Sequence, residues 1–439
     1  MYSFLLNKIL LPIGSLFFGG NYAGQLKEFK KYDTMTAEEL NKLQYDGLVK
    51  IMRYALENVP YYKDLKLPAN ECLKDFPILT KSILRAHSDN LISREFAKNR
   101  LERNYSSGST GVQSLTYMEH GHKFYLRALQ THWWTWGGYK PGETLLQAGM
   151  SLKRGFTKSS KDFFFKVKYM NAFNLKEKDV RAVLLKIKNK NPKHLAGYPS
   201  ALNEMALTAI KENKVYAFKS LISYGDKLFD TYRNNYKKAF KNPTIINTYG
   251  CAEGLLMACT ADITYYYIMS PHVFLEVVDD EGNPVNDGKR GNILVTCLTN
   301  FAMPLIRYKL GDLGIMLPLK NYPKKRKFQY PLLQEVTGRE TEVIKAPNGN
   351  ILIVHSFTGI IEFYNEIRQF KVIQTTKQTL TIEYITDSGE EISLKIQKEI
   401  EEKLLKLVDN SMEINFMLVT FLAASPSGKP QIVEIRSKD

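Results

Sequence analysis

The chain has 439 residues, of which 44% are hydrophobic and 24% charged, and its formal net charge is +16. That composition excludes a disordered or collagen-like polymer, and the length suits two or three domains. Four cysteines (Cys72, Cys251, Cys259, Cys297) stand far apart with no CxxC pair, which argues against a disulfide framework and a zinc ribbon and suits a reducing, cytoplasmic compartment.

Residues 1–20 are nearly uncharged, with Lys8 the exception. Pro12 and Gly14 interrupt them, which speaks against a straight spanning helix. Neither the basic start nor the small-residue cleavage site of a signal peptide is clear. Two readings stand: a helix packed on the protein, and a shallow interfacial anchor that would give peripheral membrane contact. Residues 36–57 carry Leu40, Leu43, Leu48, Ile51, Met52 and Ala55 near helical spacing and stop before Pro60. His120 and His122 are two apart, so on a strand they would face one side. Trp133, Trp134 and Trp136 would line a pocket or fill a core.

Short apolar runs at 144–150, 220–224, 244–248, 273–278 and 292–297 read as strands between helical stretches. Such alternation predicts a large mixed α/β domain. Glu281-Gly282-Asn283-Pro284 reads as a turn. Residues 320–327 hold four lysines and Arg326 in a solvated loop. The pattern then changes. Strands are expected at 344, 351–354, 370–373, 379–386 and 414–420. Ile396, Ile400, Leu404 and Leu407 mark one face of a helix. The expected division is a domain of residues 1–337 and a small α+β domain of residues 338–439. The basic charge could attract polyanions, but no arginine-rich tract or aromatic–basic repeat supports nucleic-acid binding.

The chemistry is concentrated in five short motifs. Tyr105-Ser106-Ser107-Gly108-Ser109-Thr110-Gly111 gathers hydroxyls and glycines, a composition that lets backbone amides and hydroxyls approach phosphate oxygens. It is not a Walker A loop, because GxxxxGK[ST] is absent. Tyr249-Gly250-Cys251-Ala252-Glu253 follows an apolar strand. Pro304-Leu305-Ile306-Arg307-Tyr308-Lys309-Leu310-Gly311-Asp312, Gly338-Arg339 and Pro426-Ser427-Gly428-Lys429 come after it.

In this order and spacing, the five motifs resemble the adenylate-forming superfamily of acyl-CoA synthetases, peptide-synthetase adenylation domains and luciferases. Asn58-Val59-Pro60-Tyr61-Tyr62 and Gly197-Tyr198-Pro199-Ser200 narrow the resemblance to the phenylacetate–CoA ligase branch, including CapK-like proteins of capsular polysaccharide loci. It implies a large α/β adenylation domain with a small mobile C-terminal α+β domain. It also implies an ATP- and Mg²⁺-dependent ligase that converts a carboxylic acid into an acyl-AMP and then transfers the acyl group. The acceptor would be the thiol of coenzyme A, or an amine or hydroxyl of a surface-polysaccharide precursor.

Carried over by motif, Ser106, Ser107, Gly108, Ser109, Thr110 and Gly111 would hold the ATP phosphates. Tyr249, beside Gly250, would lie against the adenine. Glu253 would bind Mg²⁺, Asp312 the ribose hydroxyls, and Arg339 would join the nucleotide site. Lys429 would serve adenylation, and Thr341 and Glu342 would flank the hinge. The chemistry is consistent with such groups, since a carboxylate becomes an acyl donor only when its oxygen leaves as AMP, and charge on phosphate oxygens is best met by amides, Mg²⁺ and lysine. The chain departs from the usual pattern at Ser109, Lys309, Leu310 and Gln431. Some relatives carry zinc ligands after the glutamate motif, but Cys259 and His272 alone do not make a four-ligand site. A different class of reading is a catalytically inactive nucleotide-binding protein that keeps the fold.

Overall fold

The helix Ala37–Asn58 starts at Thr36, whose hydroxyl accepts from the Glu39 amide at 3.2 Å while the Glu39 carboxylate accepts from the Thr36 amide at 2.8 Å. This reciprocal cap satisfies two of the donors that a helix start leaves open. The helix buries Leu40, Leu48, Ile51, Met52 and Ala55, the apolar stripe expected of it, while Leu43 stays largely exposed. Pro60 opens a separate short turn, Pro60–Lys63. In this computed structural model the described residues run from 2 to 436, excluding 7–10, 12–19, 66–71, 106–113, 150–155, 172–176, 191, 226–227, 229, 252, 338–343, 353, 362, 365, 387 and 423–431. The chain divides into one unit of residues 1–106, 114–142 and 245–338, and another of residues 107–113, 143–244 and 339–439.

The first unit is built on antiparallel strands. In spatial order they are Val273–Val278, Arg290–Cys297, Tyr308–Met316, Leu332–Thr337, Tyr266–Ile268, Leu255–Cys259 and Thr244–Cys251. Their inward side chains and the helix Ala37–Asn58 share one core with Tyr62, Phe76, Leu79 and Tyr308. A separate hairpin pairs Glu102–Tyr105 with Leu115–Met118 in the register Tyr105 opposite Leu115.

The helix Tyr22–Tyr32 packs on the helix His120–Trp136. The Tyr22 hydroxyl donates to Thr131 at 2.9 Å. Asp33, at the end of the first helix, accepts from Trp136 Nε1 and from the Tyr330 hydroxyl, both at 3.1 Å, and lies 3.1 Å from His132 Nε2. All three tryptophans are buried, and Trp136 lies 4.5 Å from the Phe328 ring, so they fill a core. His120 and His122 lie on the helix His120–Trp136 and not on a strand, so their spacing does not put them on one face; the second half of that helix is buried nearly all round, from Ala128 to Trp136.

The second unit holds a parallel sheet in the order Ser220–Ser223, His194–Gly197, Leu145–Gly149, Val167–Asn171. Helices Phe156–Phe164, Glu177–Lys190 and Pro199–Lys211 connect its strands, as parallel pairing requires. The first residues of two strands, His194 and Ser220, are tied to each other and to Glu143, two residues before the strand Leu145–Gly149. His194 Nδ1 lies 2.7 Å from the Ser220 hydroxyl, and Nε2 lies 2.9 Å from Glu143. This resembles a hydrolytic triad in composition only. Ser220 and His194 are fully buried, and the trio sits at the amino ends of the strands, whereas open α/β sheets bind ligands beyond the carboxyl ends.

Residues 344–436 of that unit form a sheet in the order Glu413–Leu418, Thr379–Thr386, Ile367–Thr376, Val433–Ile435. The helices Val354–Ile361 and Leu394–Leu407 share its core through Phe357, Ile360, Ile361, Ile400 and Leu404. The strand expected at 351–354 ends at Leu352, because Phe357, Ile360 and Ile361 continue the apolar run at helical spacing. Among the described residues no helix is long and apolar enough to cross a membrane.

Candidate active site

Two of the motifs lie on strands of the first unit. Tyr249, Gly250 and Cys251 end the strand Thr244–Cys251, and Glu253 follows the strand's end. The pairing shifts register between Tyr249 and Gly250, and a Cβ on Gly250 would meet the Leu255 carbonyl at 2.8 Å. Glycine at that bulge thus lets the two backbones close up. The second motif lies on the strand Tyr308–Met316, where Gly311 has φ +90. That left-handed backbone, one residue before Asp312, suits glycine.

The residue before Tyr308 sets the entry of this strand. Arg307 is a non-glycine residue at φ +49, a conformation that persists only where the surroundings impose it. Its buried guanidinium donates to Glu276 and to the carbonyls of Lys74, Phe76 and Gly282, at 3.2–3.3 Å for the first three and 2.7 Å for the last. Its amide donates to Thr296 at 3.0 Å. The Leu79 segment pairs alongside, with Lys309 N donating to the Leu79 carbonyl at 3.0 Å.

The acids of the two motifs are held by the tyrosines of the opposite motif. The Tyr249 hydroxyl donates to Asp312 Oδ2 at 3.0 Å, and the Tyr308 hydroxyl donates to Glu253 Oε1 at 2.8 Å. Thr116, on the hairpin strand that follows residues 106–111, donates to the Glu253 carbonyl at 3.3 Å. Glu253 is 5% exposed, and Asp312 is half-buried.

Burial pushes both tyrosines far above the usual phenol range, reinforced by Asp312 beside Tyr249 and by Glu253 beside Tyr308. Both therefore remain hydroxyl donors at any physiological pH. Burial, then the Glu253 charge, likewise holds the Cys251 thiol protonated. None of the ion pairs among the described residues involves Glu253. Lys81 and Arg85, on the helix Lys81–Ala86, act electrostatically on Cys251 and Tyr308.

The sequence singled out Tyr249, Gly250, Glu253 and Asp312; the structure joins Tyr249 to Asp312 and Glu253 to Tyr308. Ser106, Ser107, Gly108, Ser109, Thr110, Gly111, Arg339, Thr341, Glu342 and Lys429 lie outside the described residues. Sequence reasoning gave no part to Tyr308, Thr116, Lys81 or Arg85. The one available signal was the matching form of the two motifs, each a tyrosine four residues before an acid. Cys259 and His272 are both fully buried, and His272 Nδ1 lies 2.7 Å from Thr299.

Residues 103–301 match the family model described as AMP-binding enzyme. The phenylacetate-coenzyme A ligase of Thermus thermophilus is 24% identical over 310 residues, which cover 65% of this chain and 67% of that enzyme. The phenylacetate-coenzyme A ligase of Escherichia coli is 27% identical over 169 residues, so the match spans 37% of this chain and only 35% of that enzyme. Among solved structures, 2-hydroxyisobutyryl-CoA ligase in an open conformation with 2-HIB-AMP and CoA superposes with TM-score 0.56 at 17% identity, covering 91% of this chain and 92% of that one. The same ligase in its thioesterification state gives TM-score 0.58 at 16% identity, with 93% and 92% covered. These superpositions show a shared fold.

Proposed function

The chain belongs to the adenylate-forming superfamily, on its phenylacetate–CoA ligase-like branch, and from that premise we propose that it activates a carboxylic acid with ATP and passes the acyl group to an acceptor. In the first step a carboxylate oxygen attacks the α-phosphorus, pyrophosphate leaves, and acyl-AMP forms. In the second step the acceptor attacks the acyl carbon, AMP leaves, and the acceptor's proton goes to solvent. The observation that carries this reading is the placement of Glu253 and Asp312, each fixed by a tyrosine of the other motif.

Asp312 would accept hydrogen bonds from the ribose hydroxyls, and Tyr249 would present its ring to the adenine. Ser106, Ser107, Gly108, Ser109, Thr110 and Gly111 would carry the phosphates, Arg339 would join the nucleotide site, and Lys429 would pair with the reacting oxygens. Glu253 suits Mg²⁺, because its neighbouring donors are neutral and leave its charge available to a hard cation. The ion would neutralise charge on the phosphates. Residues 1–337 would form the adenylation domain and residues 338–439 a smaller domain turning at Thr341 and Glu342. The named relatives favour coenzyme A as acceptor, while the CapK-like resemblance favours an amine or hydroxyl on a surface-polysaccharide precursor. The enzyme would act in the cytoplasm, with residues 1–20 as the segment that could reach a membrane surface.

A screen of carboxylic acids, aryl acids, amino acids and uronic acids included, for acid-dependent pyrophosphate release from ATP tests the reading. Thioester formation when coenzyme A is added would fix the acceptor. Nucleotide binding with no pyrophosphate release for any acid would support the inactive nucleotide-binding protein instead.

A further inference from the structure

We propose that Tyr249 and Tyr308 form a reciprocal brace that sets the two nucleotide-site carboxylates together, each tyrosine acting as a positioning residue for the acid of the other motif. The inference rests on the proposed nucleotide site and assigns to Tyr308 and to the Tyr249 hydroxyl a role that the motifs alone do not contain.

The two segments have the same form, Tyr249 to Glu253 and Tyr308 to Asp312, with three residues between tyrosine and acid in each. An acid braced by its own tyrosine would leave the segments independent. The hydrogen bonds run crosswise instead, Tyr249 to Asp312 over 63 positions of sequence and Tyr308 to Glu253 over 55. Displacing either strand would therefore loosen both acids.

The donors fit the task. A lysine or arginine at either place would neutralise the carboxylate it holds. A hydroxyl orients the carboxylate and leaves its charge for ribose hydroxyls or a cation. The rings hold the hydroxyls still: Tyr308 is fully buried and Tyr249 is 9% exposed. Tyr308 is also fixed from behind by the Arg307 clamp and the Leu79 pairing. Each acid keeps a second carboxylate oxygen beyond the one its tyrosine engages.

Two variants that keep the rings, Tyr249→Phe and Tyr308→Phe, read the two halves separately. The measurement is calorimetric titration of the full-length protein with AMP, with ATP in chelator, and with ATP in Mg²⁺. Thermal unfolding, expected within a few degrees of the parent, checks the fold first. Tyr249→Phe should weaken all three nucleotides by about the same factor, roughly fivefold to tenfold, because every one presents a ribose to Asp312. Tyr308→Phe should leave AMP within about twofold and remove most of the gain in ATP affinity that Mg²⁺ confers. Unchanged affinities in both variants would overturn the brace. So would equal weakening of all ligands in both, which is the mark of a purely structural pair. A parent protein that binds none of the three would overturn the nucleotide site, and the brace with it, so the two failures are distinguishable.

Discussion

Glu253 combines near-complete burial with a free charge, and its partners are neutral hydroxyl and thiol groups. A buried carboxylate without a cation is costly unless hydrogen bonds or a metal satisfy it. Glu253→Gln keeps the shape and removes the charge. Single-turnover measurement should show acyl-AMP formation slowed tenfold or more, roughly 1.4 kcal/mol upward. Pyrophosphate release at the parent rate in saturating Mg²⁺ would remove Glu253 from the cation site.

His122 is a different case, since burial alone lowers its pKa to about 4. It stacks on Tyr125 at 5.4 Å and lies 6.1 Å from the buried His272, whose pKa burial also lowers. The unfolded imidazole titrates near 6.5. Between about pH 6.5 and 4 the unfolded chain takes a proton that the folded chain refuses, so stability is full above pH 6.5 and declines toward pH 4. The loss from His122 amounts to roughly 3 kcal/mol. In denaturant titrations, His122→Phe should flatten this pH dependence, leaving the part due to His272. A parent-like slope in the variant would show that His122 titrates normally.

Among the elements, the N-terminal segment poses the sharpest choice. Leu6 is buried and Phe4 is 67% exposed, while residues 7–10 and 12–19 lie outside the described residues. The following helix, Tyr22–Tyr32, is bound through Tyr22 and through Asp33 just past its end. If residues 1–20 form an interfacial anchor, the protein should sediment with anionic liposomes. Deletion of the segment should then abolish sedimentation, and salt should weaken it without eliminating it. Full-length protein that stays in the supernatant at low salt, or a deletion that unfolds the chain, would establish the packed reading.

Other elements were legible to differing degrees. Thr36 with Glu39 marks a helix start by chemistry that acts within four residues, and the helix begins there. The strands Val273–Val278 and Thr379–Thr386 stand where they are expected, the first as a short apolar run and the second where apolar residues alternate with polar ones. The helix His120–Trp136 was missed because its tryptophans and histidines carry weak helical preference, and packing rather than propensity decides its state.

At the scale of the whole molecule, the proposed two-step reaction makes one demand on the chain. Under that proposal Lys429, far from residues 106–111 in sequence, would reach the reacting groups only with its domain docked over the nucleotide, and the acceptor would enter once that domain withdraws. Lys429→Ala should therefore slow adenylation a hundredfold or more, about 2.7 kcal/mol, while transfer from supplied acyl-AMP changes only a few-fold. Equal loss in both half-reactions would reject the two-state role, and no loss in either would make Lys429 a bystander. The superfamily resemblance and the α/β class were legible in the sequence alone, and the motifs singled out Tyr249, Glu253 and Asp312 as candidates, because ordered motifs and apolar periodicity are local properties of a chain. Only the tertiary structure decided that Tyr308 holds Glu253 and that Tyr249 holds Asp312. A hydrogen bond acts over about 3 Å, and which donor comes that close to which acid is set by the approach of segments more than fifty residues apart, a quantity that no local pattern records.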